Sequence, residues 1–195
     1  MSSKLQRVSE PEAEKPARFA KGGSDEQIDF TTEKTTFGWM IVGATGRGLC
    51  WLALAGTKAE AEATLREEFP LATLKRDSSL AGMVDAALGV VVGQTNSSKK
   101  LAASQALDLR GTEFQLRVWQ ALRRIPRGET RSYSQLAREL GEPKATRAVA
   151  RACAMNRVAV VVPCHRVVGV SGALTGYRWG VERKRMLLEA EGLKT

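Results

Sequence analysis

The chain has 195 residues with 30 Lys and Arg against 21 Asp and Glu, a formal net charge of +9, and enough length to bury one large core or two small ones. Three cysteines (Cys50, Cys153 and Cys164), a single histidine and no CxxC pair argue against a disulfide framework and leave a structural zinc site without ligands. No apolar run reaches the length of a membrane span and no secretory pattern opens the chain, so a cytoplasmic protein bound to neither metal nor membrane is expected.

Residues 1–28 are polar and lack an apolar period, which predicts a flexible leader or linker. FGWMIVGATGRGLCWLAL then gives two apolar runs across a Gly-containing turn, a hairpin from Thr36 to Leu54. AEAEATLREEF has helical composition and is limited by Pro70. A short strand over Ala72–Lys75, a helix from Leu80 to about Val92 and an extended piece near Ala106–Leu109 follow, an order that suggests a small α/β domain. Cys50, between Leu49 and Trp51, reads as core.

The second half changes character. From Arg110 onward there are 17 Lys and Arg against 7 Asp and Glu, whereas residues 1–109 hold 13 against 14. A solvated basic surface would account for this, and so would a nucleic-acid footprint, since Lys and Arg displace counterions from phosphates. Thr112 is placed to cap a helix in which Phe114, Val118, Trp119 and Leu122 recur at helical spacing, ending at Pro126 and Gly128. Ser132 starts a short helix, YSQLAREL, stopped by Gly141-Glu142-Pro143, and KATRAVARACAMN continues directly as another. Two helices across a tight turn form a helix-turn-helix pattern. Lys144, Arg147 and Arg151 are expected on one face of the second helix, and small residues such as Ala148 between them would allow close approach to a DNA groove.

After Asn156 comes VAVVVPCHRVV, an apolar run that reads as extended up to Pro163, where the chain is free to turn. Cys164 there is either a buried structural thiol beside a surface His165, or a nucleophile. As a nucleophile it would be aided by a nearby helix N-terminus that lowers its pKa and by His165 as proton acceptor, through a water if the neighbouring side chains diverge.

PCHRVV, with Asn156 eight residues ahead of the cysteine and SGALTGYRWG behind it, resembles the O6-alkylguanine-DNA alkyltransferase family, in particular the C-terminal alkyltransferase domain of Ada-type adaptive-response proteins. VWQAL, IPRGET, SYSQLA, PKATRAVA and LLEAEG extend the likeness from about Gly111 to Gly192. It implies an α/β (α+β) two-domain fold: a small N-terminal ribonuclease-H-like α/β domain over 29–108, and a helix-turn-helix, winged-helix-like alkyltransferase domain over 109–195. It also implies a monomer that takes the alkyl group from O6-alkylguanine in double-stranded DNA, and from O4-alkylthymine, onto Cys164 irreversibly and without a cofactor. By the same resemblance His165 acts as a water-mediated base, Glu191 orients it, Tyr133 helps protonate the departing guanine and Asn156 braces the turn. Arg147 would fill the gap left by the flipped nucleotide, Lys144, Arg151 and Ala148 would line the DNA face, and Tyr177 with the Ser171–Gly176 loop would wall the base pocket. Arg178 and Trp179 are bulkier than what some members carry there. A non-catalytic lesion- or promoter-binding module is the alternative, and the presence of Cys164 favours chemistry. A cysteine hydrolase is disfavoured, because the chain holds no second histidine.

Overall fold

A computed structural model describes residues 21–94 and 107–194. The described chain is mixed α/β, a four-stranded sheet and a two-stranded one with six α-helices among the described residues. Strands β1 (Gln27–Thr35), β2 (Gly38–Thr45), β3 (Gly48–Ala55) and β4 (Thr73–Arg76) lie in the order β3-β2-β1-β4. The first three pair antiparallel, with Phe30 opposite Gly43 and Val42 opposite Leu52, while β4 runs parallel to β1. A parallel neighbour needs a crossover, supplied by helix α1 (Lys58–Glu68). The β1–β2 turn requires a glycine: Gly38 sits at φ +100°, and a Cβ there would lie 2.4 Å from the Ala55 carbonyl oxygen.

The expected hairpin is β2–β3. Strand β1 was not anticipated, and it begins at Gln27, ahead of the expected boundary at 29. Its polar sequence hides it: Glu33 and Lys34 face solvent while Thr31 and Thr32 are buried beside Ile28 and Phe30. The expected leader otherwise falls largely on residues 1–20, outside the described ones.

Every residue of β3 is buried, so the strand is covered on both faces. Its outer edge is covered too. Leu49 O accepts from Asp108 N at 3.0 Å, Leu52 N donates to Arg157 O at 2.9 Å, and Ala159 N donates to Leu52 O at 2.9 Å. The segment leading to Cys164 is thereby fastened to the sheet edge.

Helix α1 starts in a capping box in which Glu60 N donates to Thr57 Oγ1 and Thr57 N to Glu60 Oε2. Helix α2 (Ala81–Val91) buries Met83, Val84, Ala87 and Val91. Helix α3 (Glu113–Arg123) opens in a Thr112–Gln115 capping box and buries Val118, Trp119 and Leu122, with Trp119 Nε1 donating to Ala152 O at 2.9 Å. Helix α4 (Tyr133–Glu139) repeats the device with Ser132 and Gln135. Helix α5 (Thr146–Ala154) turns Val149, Ala152 and Cys153 inward, and helix α6 (Val181–Ala190) closes the described chain. Strands β5 (Arg131–Ser132) and β6 (Val167–Val168) pair in parallel. Nearly all the buried apolar residues from Ile28 to Leu187 form one continuous cluster.

Two expectations are corrected. Lys144 is not on α5: Pro143 opens a turn closed by Ala145 N donating to Glu142 O at 2.8 Å, and the helix starts only at Thr146. VAVVV is not an extended strand. Only Val158 bridges to Leu52, after which the chain folds back through Val160 at φ +69°. That is a rare conformation for a β-branched residue, sustained only when its surroundings over-determine it.

Candidate active site

Asn156 supplies the surroundings. It is fully buried, its Oδ1 accepts from Val158 N at 3.0 Å, and its Nδ2 donates to Val162 O at 2.8 Å and to Cys164 Sγ at 3.1 Å. One amide thus closes the Val158–Val162 loop and aims the thiol. Pro163 then leads into a single 3-10 turn, Cys164–Arg166, which is buried throughout.

Burial pushes the Cys164 thiol up to about 11; the Asn156 hydrogen bond and the positive charges of Lys184 and Arg178 pull the other way without winning. The expected lowering is therefore corrected: desolvation outweighs the donors, and the resting group is the neutral thiol.

His165 and Glu191 are both fully shielded, with His165 Nε2 at 2.9 Å from Glu191 Oε1. Arg166 approaches the same carboxylate from the other side, its Nε 2.9 Å from Oε2 and its Nη2 2.7 Å from Oε1. Burial opposes ionisation of Glu191, yet hydrogen bonds and charge from His165 and Arg166 bring its pKa down to about 2. Burial also depresses His165, more than the carboxylate raises it. The consistent state is ionised Glu191, cationic Arg166 and neutral imidazole. An ionised carboxylate only accepts, so Nε2 carries the proton and Nδ1 is left a bare acceptor. Nδ1 makes no hydrogen bond to any described residue.

The end of α6 that carries Glu191 is held from outside by the Pro126–Glu129 turn. Arg127 donates from Nη2 to Ala190 O at 2.6 Å and from Nε to Val91 O at 2.8 Å, and Gly128 (φ +79°) comes close enough that a Cβ would lie 3.4 Å from Glu191 O.

Cys164 opens on a cavity of about 470 Å³, whose walls include Tyr133, Ala150, Cys153, Tyr177 and Arg178. Tyr133, the first residue of α4, donates from its hydroxyl to Thr175 O at 3.3 Å, and burial raises its pKa, keeping it a proton donor. Tyr177 packs edge-on against buried Trp179, ring centres 5.2 Å apart. Its hydroxyl is buried without a hydrogen bond among the described residues, and burial holds it well above the usual phenol range. Cys153 packs from α5 and also reaches this cavity, its thiol raised by burial and by the Cys164 beside it. Next to the cavity, Arg147, Ala148 and Arg151 of α5 are exposed, as is Lys144 in the preceding turn, and none of the three cations has an ion pair among the described residues. No three His, Cys, Asp or Glu side chains among the described residues converge to hold a metal ion, and no described helix is long and apolar enough to cross a membrane.

A family model described as 6-O-methylguanine DNA methyltransferase, DNA binding domain, matches residues 113–193. The crystal structure of Mycobacterium tuberculosis OGT in complex with DNA is 37% identical, with a TM-score of 0.67 over 84% of this chain and 92% of that one. The chain belongs to the O6-methylguanine-DNA methyltransferase family. Another relative, the bifunctional transcriptional activator/DNA repair enzyme Ada of Escherichia coli (strain K12), is 42% identical over 89% of this chain and 48% of its own length. The methylated-DNA–protein-cysteine methyltransferase of Mycobacterium bovis is 61% identical over 44% of this chain and 52% of its own length. The chain thus spans about half the length of the curated relatives it matches.

In this methyltransferase-family site, two buried cations escaped the sequence reading. Arg166 had a signal, since an arginine inside an apolar run must find a carboxylate or carbonyls when buried; here it has Glu191 and, from Nη1, Ile125 O at 2.6 Å. Lys184 had none: it is fully buried and donates to Val167 O at 2.5 Å and Thr175 O at 3.1 Å, yet its neighbours Arg183 and Arg185 look the same in sequence.

Proposed function

We propose that this chain repairs DNA by direct reversal, moving the alkyl group of O6-alkylguanine, and of O4-alkylthymine, onto Cys164 in one irreversible event per molecule. The observation that carries this reading is the bare Nδ1 of a buried neutral His165, locked by Glu191 and Arg166, beside a buried thiol that opens on a cavity.

In the proposed step Cys164 Sγ attacks the alkyl carbon, the S–C bond forms as the C–O6 bond breaks, and the electron pair leaves with the guanine. The thiol proton passes to His165 Nδ1 through a bridging water, and the imidazolium is stabilised by Glu191. A thiol held near 11 needs such a base, because it holds few thiolates at neutral pH. The departing guanine takes a proton from the Tyr133 hydroxyl, and the imidazolium returns the thiol's proton to the tyrosine through water, so that histidine and phenol both end neutral. No cofactor is required, and the thioether has no leaving group, so the molecule stops after one transfer.

The thiol cannot reach O6 within a stacked duplex, so the nucleotide must flip. In this reading α4 and α5 act as a helix-turn-helix of a winged-helix-like domain over 109–195, and residues 29–108 form a ribonuclease-H-like domain. Arg147 fills the vacated stack, Lys144 and Arg151 contact phosphates, Ala148 permits close approach, and Tyr177 closes over the flipped base. The protein acts as a cytoplasmic monomer. Transfer of labelled methyl from a duplex carrying O6-methylguanine tests the reading, with Cys164→Ser as control. Binding without transfer by the wild-type protein would leave a non-catalytic lesion-binding module in its place.

A further inference from the structure

Away from Cys164, His165 and Glu191, the cavity wall is fastened to the sheet layer by ions the proposed chemistry does not use. Arg178 lines the cavity. Its guanidinium lies over the Trp51 ring of β3 at 4.9 Å and donates from Nη2 to Glu68 Oε2 at 2.5 Å. Glu68 is the last residue of α1, and its other oxygen accepts from Arg157 Nε at 2.6 Å. Arg157 follows Asn156 in the chain, and its Nη1 donates to Arg110 O at 3.1 Å. One carboxylate therefore ties a cavity-wall residue to the residue beside the thiol's hydrogen-bond donor.

The pairs are partly shielded, with Glu68 15% and Arg178 28% exposed, so they are screened less than surface pairs. Burial works against ionisation of Glu68, but its two arginines prevail and hold it below the usual carboxylate range. The loop needs such a tether. Gly172, Gly176 and Gly180 all sit at positive φ, a flexible sequence in the unfolded chain; among the described residues side chains also hold its backbone at Thr175 O, through Lys184 and Tyr133, and at Trp179 O, through Arg183 Nη1 at 2.8 Å, but neither bond fixes the Arg178 side chain.

We propose that Glu68 is a positioning residue that fixes Arg178 as a rigid cavity wall and so limits the size of the O6 substituent the cavity admits. This rests on the alkyl-transfer reading above. Glu68 touches no reacting atom and acts only through Arg178, and the stacking of Arg178 on Trp51 sets the direction in which the wall is drawn.

The test is a single-turnover comparison of duplexes carrying O6-methylguanine and O6-butylguanine, using wild type, Glu68→Gln, Arg178→Ala and the double variant. The butyl-to-methyl rate ratio is expected to rise about tenfold in each single variant, the scale of a changed apolar pocket contact. It should rise no further in the double variant, because both substitutions remove the same wall. Arg178→Ala leaves the Glu68–Arg157 pair in place, so it reports on the wall even if Glu68→Gln fails to fold. An unchanged ratio in Arg178→Ala, additive ratios in the double variant, or equal loss of both rates in Glu68→Gln overturns the proposal while wild-type methyl transfer stands. A wild type that accepts neither group overturns the transfer reading itself.

Discussion

Glu191→Gln isolates the ion triad on which the proposed chemistry is built. In the folded protein Glu191 has a pKa of about 2 against an ordinary 4.5, and its side chain is fully shielded. A shift of this size corresponds to about 3 kcal/mol of stability. Because the folded value is depressed, that contribution is complete above about pH 4.5 and disappears as pH falls through about 2. The amide also leaves the guanidinium of Arg166, only 7% exposed, without its counter-charge, a loss in the range of about 3–5 kcal/mol for a broken buried pair. Urea denaturation near neutral pH should therefore place the variant about 3 kcal/mol below wild type, still folded within the usual stability range. Repeated near pH 3, the gap should shrink by more than half, since wild type is then losing the same interaction. Alkyl transfer should fall at least about 100-fold, because a neutral amide no longer stabilises the imidazolium or enforces the Nε2–H tautomer. A stability gap that does not change between neutral and acidic pH would refute an ionised Glu191 and with it the tautomer assigned to His165.

Asn156→Ala should cost about 3 kcal/mol in denaturant midpoint, since it orphans the buried Val158 N–H and Val162 carbonyl and removes the donor to Cys164 Sγ. Without DNA, alkylation of Cys164 by iodoacetamide should stay slow through neutral pH and accelerate only as pH nears about 11; a plateau near neutrality would show that a thiolate is preformed. Arg147→Ala should slow transfer from duplex DNA far more than from single strands, which have no stack to fill, and an equal loss on both would reduce the residue to a phosphate contact.

Much of this site can be read from local sequence. Thr112 with Gln115 and Ser132 with Gln135 announce two helix starts, because both partners of a capping box lie within one turn. Cys164 and His165 stand out by their adjacency and Asn156, Glu191 and Tyr133 by family likeness; the fold sets Cys164 and Tyr133 on one cavity, Asn156 against the Cys164 thiol and Glu191 against His165. What escapes is whatever depends on distant partners. Arg166 and Lys184 look like ordinary basic residues until Glu191, Ile125 O, Val167 O and Thr175 O are brought to them by the fold. VAVVV has the composition of a strand, and only the buried Asn156 amide and the β3 edge turn it into a compact loop. The direction of the Cys164 shift was misread for a related reason, since a nearby donor is visible in sequence and the extent of desolvation is not.

The most direct measurement is intact-protein mass spectrometry with peptide mapping after incubation with excess duplex containing O6-methylguanine. One methylene's mass per chain is expected, on the peptide carrying Cys164 alone. Cys50 and Cys153 should remain unmodified, since burial raises both thiols and neither adjoins a base like His165. Repaired DNA in molar excess over protein, or methylation appearing first at Cys153, would contradict the account.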